Sequence, residues 1–237
     1  SYLVIVGIFA CFLLLVLFSS LPEIEFDDAQ EDEEKTNIFL YPQIVLGAIA
    51  LFFYVGVEVV AGDTIGLFGQ NLGVENYTAL TSYTMVFMVL GYLIGVFGIP
   101  KYLSQEKALA YSAIGGFITI IALLFSSDQS SVISTLLWGW SGIATIPDPV
   151  ALVAILGLSH SLVWPAIWPL ALEGLGRFTA QGSALLIMSI AGGAILPLVF
   201  GQMADIGGDM QFSYVITIPA YLFILYYALK GHKVTRW

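Results

Sequence analysis

Charge is what this chain has least of. Asp, Glu, Lys and Arg make up only 10% of its 237 residues, against about 25% in soluble domains. Hydrophobic residues reach 59% and the mean hydropathy is +0.93. That balance excludes an ordinary soluble domain and a basic nucleic-acid-binding module, and leaves an all-α, polytopic membrane protein. Cysteine is nearly absent. Cys11 lies alone in an apolar run, so there is no disulfide framework. No P-loop, GxSxG elbow, Cys/His metal spacing or dinucleotide fingerprint appears. The expectation is therefore no enzyme, no metal, no cofactor and no self-contained ATP-driven pump. A membrane subunit fed by a separate ATPase stays open. The chain also lacks an initiator Met, a charged n-region and a cleavage site, and starts at Ser1 inside an apolar run. It reads as the C-terminal fragment of a longer protein.

What is there is long apolar runs. Seven segments have the length and hydropathy of spanning helices: Tyr2–Leu21, Pro42–Phe68, Thr78–Ile99, Ala108–Phe125, Pro149–Leu172, Gln181–Gly201 and Phe212–Leu229. Between the first two lies an acidic, solvated loop with Glu23, Glu25, Asp27, Asp28, Glu31, Asp32, Glu33 and Glu34. It lacks the ligand spacing and glycine of a calcium loop. The seven basic residues (Lys35, Lys101, Lys107, Arg177, Lys230, Lys233 and Arg236) fall in alternate loops and the C-terminal tail. With seven spans all of them lie on one side. By the positive-inside rule that side is cytoplasmic, with Ser1 outside and Trp237 inside. The apolar stretch Val132–Ile146 is short for a span. It reads as an external interfacial or re-entrant segment, with Trp138 and Trp140 as headgroup anchors.

Two spans carry groups that resist burial in lipid. Pro42–Phe68 makes a rod of roughly 40 Å, and Glu58 sits near its middle. A carboxylate at that depth costs about 2.5–3.5 kcal/mol on insertion scales, so it faces a partner or a watery cavity. Pro149–Leu172 carries His160 in the run LSHSLVWPAIWP. His160 reads as a proton relay, as a donor to a polar substrate, or as a helix–helix hydrogen bond satisfied by Ser or Thr. Trp164 and Trp168 follow at four-residue spacing on the same face. Pro165 and Pro169 interrupt the backbone ladder there. Tyr54 shares the face of Glu58. An indole beside a hydrogen-bonding imidazole suits a sugar, one face of which is C–H while its hydroxyls need donors and acceptors. The alternative is that both tryptophans face lipid or the interface. Asp63 is not stacked on Glu58 and reads as a vestibule or proton group, or as a helix cap near Gly62 and Gly66. Gly91 with Gly95, and Ser189 with Gly193, read as close-packing pairs. Without the first span, six helices divide three and three, with the Glu58 and His160 helices heading the two units, as in inverted-repeat transporters.

Three blocks carry a family resemblance: FFYVGVEVVAGD at Phe52–Asp63, WPAIWPLALEGLGRFTAQGSALLIMSIAGGAILPLVFGQMAD at Trp164–Asp205, and YLFILYYALKGHK at Tyr221–Lys233. They resemble the sugar permeases of the major facilitator superfamily, in the fucose permease-like branch that includes bacterial glucose/galactose transporters. The resemblance implies the last helix of the N-terminal half (1–21), an acidic cytoplasmic linker (22–41), the six-helix C-terminal half (42–230) and a cytoplasmic tail (231–237). It implies secondary transport of a hexose across the bacterial inner membrane by alternating access. Coupling would be to protons, with sodium left open. The partners would be a small neutral sugar, the lipid bilayer and the missing N-terminal half, which carries the family's proton-binding carboxylates. Another neutral solute such as an amino sugar, or a non-transporting sugar sensor, is the alternative. Glu58 would stand where the fucose permease type has an amide, which favours a role in accepting hydrogen bonds from sugar over one in carrying protons. Lys101, after Gly98 and Pro100, would sit in a reduced form of the superfamily's basic gating loop, without its Asp-Arg pair. The expected substrate-binding residues are Tyr54, Glu58, His160, Trp164 and Trp168.

Overall fold

The computed structural model describes residues 2–18, 37–99 and 101–237. The acidic segment and Lys35 lie outside them. The described chain is helical throughout. In order it forms α1 (Tyr2–Phe18), α2 (Pro42–Asn71), α3 (Leu80–Gly98), α4 (Gln105–Phe125), α5 (Val132–Trp138), α6 (Asp148–His160), α7 (Val163–Leu172), α8 (Thr179–Met188), α9 (Gly192–Gly207), α10 (Met210–Ser213) and α11 (Ile218–Leu229). Six helical stretches are long and apolar enough to cross a membrane: α2, α3 with the turn before it, α4, α6–α7, α8–α9 and α10–α11. They are the six expected after the first span, with α2 running to Asn71 rather than ending at Phe68. The first expected span appears as the 17-residue α1, whose described side chains are exposed.

Two spans form the centre. Of the most apolar stretch of each, 61% is buried in α2 and 67% in α6–α7, against 28% for α3 and 22% for α8–α9. These are the two spans that carry Glu58 and His160. The outer helices show lipid the apolar side chains that the centre hides. Val86, Val89, Leu93 and Phe97 of α3 and Leu198 of α9 are exposed, as expected where lipid is the solvent. The tightest approaches are made by small residues. A methyl on Gly157 of α6 would overlap the Thr84 carbonyl of α3, and one on Gly91 would overlap Ser161. Gly95 meets Leu162 in the same seam. On the other side, Gly192 sits against the Phe52 carbonyl and Gly193 against Val55 and Val59 of α2. Both expected close-packing pairs thus lie at helix crossings, α3 on α6 and α9 on α2.

Side-chain hydrogen bonds and an ion pair tie the helices together at the two ends. At one end Gln43 Nε2 donates to the Glu173 carbonyl, the Tyr227 hydroxyl donates to the Gln43 carbonyl, and Trp237 Nε1 donates to the Phe39 carbonyl. Glu106 Oε2 receives Lys233 at 2.9 Å and His232 Nε2 at 3.1 Å. These contacts gather the start of α2, the start of α4, the end of α7 and the tail, so the described Lys and Arg residues share that end. At the opposite end Gln211 Nε2 donates to the carbonyls of Leu123 and Ser126, closing the C-terminus of α4.

The Val132–Ile146 segment is a short helix and turn at that opposite end, and not a span. Asp148 opens α6 and its Oδ1 accepts from Ile133 N at 2.8 Å, so the carboxylate caps the start of α5 and places negative charge in the first turn of α6. The two tryptophans there behave differently. Trp140 is 83% exposed. Trp138 is buried, packs on Tyr83 at 5.5 Å and donates Nε1 to the Ala144 carbonyl. Trp138 is therefore a core residue rather than a headgroup anchor, because its indole closes the gap between this segment and α3.

Candidate functional site

The site is built where the two central spans meet. Glu58 lies in the middle of α2, with polar neighbours placed by helical spacing. Tyr54, one turn earlier, places its hydroxyl beside the Glu58 carboxylate. Tyr54 is fully buried and Glu58 half-buried. The carboxylate thus has a phenol beside it inside the protein and keeps a side turned outward. Tyr92 of α3, half-exposed, lies within electrostatic reach of the same carboxylate.

The opposite span is broken where its prolines foretell. α6 ends at His160, residues 161 and 162 form a turn, and α7 begins at Val163. Pro165 sits in the first turn of α7 and removes the backbone donor that would have bonded residue 161. His160 is therefore the last residue of a half-helix at mid-span, and it is 1% exposed. The two turn residues keep right-handed helical backbone angles, and Asp148–Leu172 runs as one 25-residue span with His160 and Trp164 on either side of the turn. Tyr54 gathers them. Its ring lies 6.2 Å from His160 in an edge-on arrangement and 6.4 Å from Trp164. Trp164 in turn lies 5.8 Å from Trp168. Tyr54 is thus the bridge between Glu58 and the imidazole.

His160 does not find a Ser or Thr partner, as one reading of the sequence had it. Its Nε2 meets the hydroxyl of Tyr221 on α11 at 2.7 Å, with the two rings nearly parallel at 7°. Tyr221 and Tyr92 were not among the expected site residues. Both lie in apolar runs where a tyrosine reads as an interfacial side chain, and only the fold brings them to the cluster. Two polar atoms at the site are buried with no hydrogen-bond partner, His160 Nδ1 and Trp168 Nε1. Orphans of this kind are uncommon and call for an explanation. Beside the cluster lies a cavity of about 420 Å³ lined by Tyr92, Leu162, Trp164 and Pro165 with Gly95 and Gln105. That volume lies within the roughly 300–1,000 Å³ of small-molecule sites.

Asp63 stands apart. It is exposed, and α2 continues past it to Asn71, so it caps no helix end.

The sequence and the fold have counterparts among known proteins. The chain is 32% identical over 227 residues to a glucose/galactose transporter of Brucella abortus, covering 93% of this chain and 50% of the relative. It is 26% identical over 246 residues to an L-fucose-proton symporter of Haemophilus influenzae, covering 98% of this chain and 51% of the relative. The chain is similar in sequence to proteins named as glucose/galactose transporters and L-fucose-proton symporters. Its fold matches the crystal structure of the Escherichia coli fucose:proton symporter with a TM-score of 0.77, over 96% of this chain and 53% of that one, at 19% identity. The chain spans about half the length of the curated relatives it matches. No protein-family profile matches it. The proteins it resembles are named as transporters and not as enzymes.

Proposed function

We propose that this chain forms one half of a secondary transporter that moves a neutral hexose across the bacterial inner membrane by alternating access, with protons as the coupling ion. The observation that carries the reading is the cluster of Tyr54, Glu58, His160 and Trp164 between the two central spans. It combines a half-buried carboxylate, a buried imidazole with an unpartnered nitrogen, and indole faces. A hexose offers hydroxyls to the first two and a C–H face to the third. No Lys or Arg lies within the described spans near this depth, which disfavours an anionic cargo. The relatives named for glucose, galactose and fucose support the same substrate class.

The broken central span supports movement over static binding. The turn at residues 161–162, with Pro165 and Pro169 after it, weakens the backbone hydrogen-bond ladder at the depth of the cargo. Trp168 extends the aromatic wall toward the end that holds the basic residues, and Asp63 lies in the vestibule at the other end. The positive-inside rule makes the basic end cytoplasmic, with Ser1 periplasmic. A second six-helix bundle supplies the other wall of the pocket.

Counterflow of labelled sugars in proteoliposomes holding the full-length transporter tests this reading. Wild-type protein should exchange a hexose, and an imposed proton gradient should drive its uptake. Glu58→Gln and His160→Ala should abolish exchange while reaching the membrane at normal levels. Wild-type rates in both variants would sink the site assignment, and binding without exchange would make the protein a sensor.

A further inference from the structure

We propose that Tyr221 is a positioning residue that holds His160 in its Nδ1–H tautomer, so that the imidazole offers the cargo a hydrogen-bond donor. This rests on the reading of the cluster as a sugar site. His160 Nε2 and the Tyr221 hydroxyl are 2.7 Å apart, and two proton placements satisfy that contact. In the first, Tyr221 donates to a bare Nε2 and the ring proton sits on Nδ1. One group is then left over, the Nδ1–H. In the second, Nε2–H donates to the tyrosine oxygen. The tyrosine proton then has no acceptor, and the Nδ1 lone pair has no donor, because Nδ1 is buried and unpartnered. One orphan is fewer than two, and buried polar groups are satisfied wherever the fold allows.

Tyr221 can hold this position because the fold leaves it no other. It is 2% exposed, and its ring lies against Gly116 of α4 at a distance that only a residue without a side chain permits. Tyr54 closes another side of the imidazole, edge-on at 6.2 Å. The result is a division of labour between the central spans. An ionised Glu58 only accepts hydrogen bonds, and His160 in this tautomer donates through Nδ1. A sugar hydroxyl does both, so one polyol satisfies the two helices together.

The test is ¹⁵N-histidine NMR on the full-length transporter. This chain has two histidines, and the signal that a His160→Gln variant loses is assigned to His160. The expected wild-type spectrum is a neutral ring with a proton on Nδ1 and a bare, hydrogen-bonded Nε2. Tyr221→Phe should replace it with a mixture of tautomers and weaken hexose binding by about five- to hundredfold, the effect of leaving one buried polar group mismatched. An Nε2–H ring in the wild type overturns the proposal. So does an Nδ1–H ring that Tyr221→Phe leaves unchanged. If Tyr221→Phe does not reach the membrane, the wild-type spectrum alone decides the tautomer. An Nδ1–H ring combined with unchanged hexose binding in His160→Ala overturns the sugar-site reading instead, and leaves the tautomer assignment standing.

Discussion

Replacing Gly116 by Ala puts one methyl group where the Tyr221 ring now lies. The added carbon would overlap that ring, with two of the three nearest ring atoms at 2.7 Å. The ring cannot withdraw into solvent, because Tyr221 is 2% exposed. It must rotate or push α11 away from α4, and either movement breaks the bond to His160. Overpacking of this kind costs about 1–3 kcal/mol. Leaving the paired groups unsatisfied costs about another 1–3 kcal/mol. Alanine returns about 1 kcal/mol as the better helix former. The net loss is roughly 1–5 kcal/mol. Gly201→Ala on α9 is the control, since nothing lies within 4 Å of its added methyl. The assay is thermal unfolding of the purified protein beside hexose counterflow. Gly116→Ala should melt early and lose exchange, while Gly201→Ala should hold both. A Gly116→Ala protein with wild-type melting and wild-type exchange would refute the placement of Tyr221 and with it the support of His160.

Two further expectations concern the end opposite the basic residues. Trp138→Ala should destabilise the protein by about 3–5 kcal/mol, as removal of a buried indole does, while Trp140→Ala should change unfolding little; equal effects in a melting assay would contradict the separation of the two residues into core and surface. Asp148→Ala should cost about 1–2 kcal/mol, since the carboxylate caps the start of α5 as well as opening α6. Proteolysis should then cut the 126–147 segment faster than in the wild type, and an unchanged cutting rate would show that the cap does not hold it.

The large features of the fold were legible in the sequence because lipid imposes strict terms. Every spanning backbone must satisfy its own hydrogen bonds, so the spans appear as uninterrupted apolar runs and the exceptions stand out. Glu58 and His160 were found in that way, and they do mark the two central spans. The break beside His160 was readable from Pro165, though its consequence was not. The turn at residues 161–162 keeps helical backbone angles, and the ring that joins the residues on either side of it comes from α2. Tyr54 is what joins them. Tyrosines and tryptophans were the least readable residues. A ring with a polar tip suits an interface and a buried pair equally well. Trp138 read as an anchor and is core, and Tyr221 was not singled out and meets the imidazole at 2.7 Å. Local pattern could not settle either one, because their partners are far away in the chain. The acidic linker lies outside the described residues.

The central claim is that Glu58 and its neighbours bind the cargo directly. Equilibrium binding of labelled hexose to the purified full-length transporter tests it without the complication of transport rates. Glu58→Gln keeps the size of the side chain and the Tyr54 contact but removes the charge behind the hydrogen bonds to the sugar. Hydrogen bonds to a charged group contribute about 1.5–3 kcal/mol. Affinity should therefore fall by roughly ten- to hundredfold, with the variant melting at or above the wild-type temperature because a buried charge is gone. An unchanged dissociation constant would contradict the claim and move the binding site away from the Glu58 cluster.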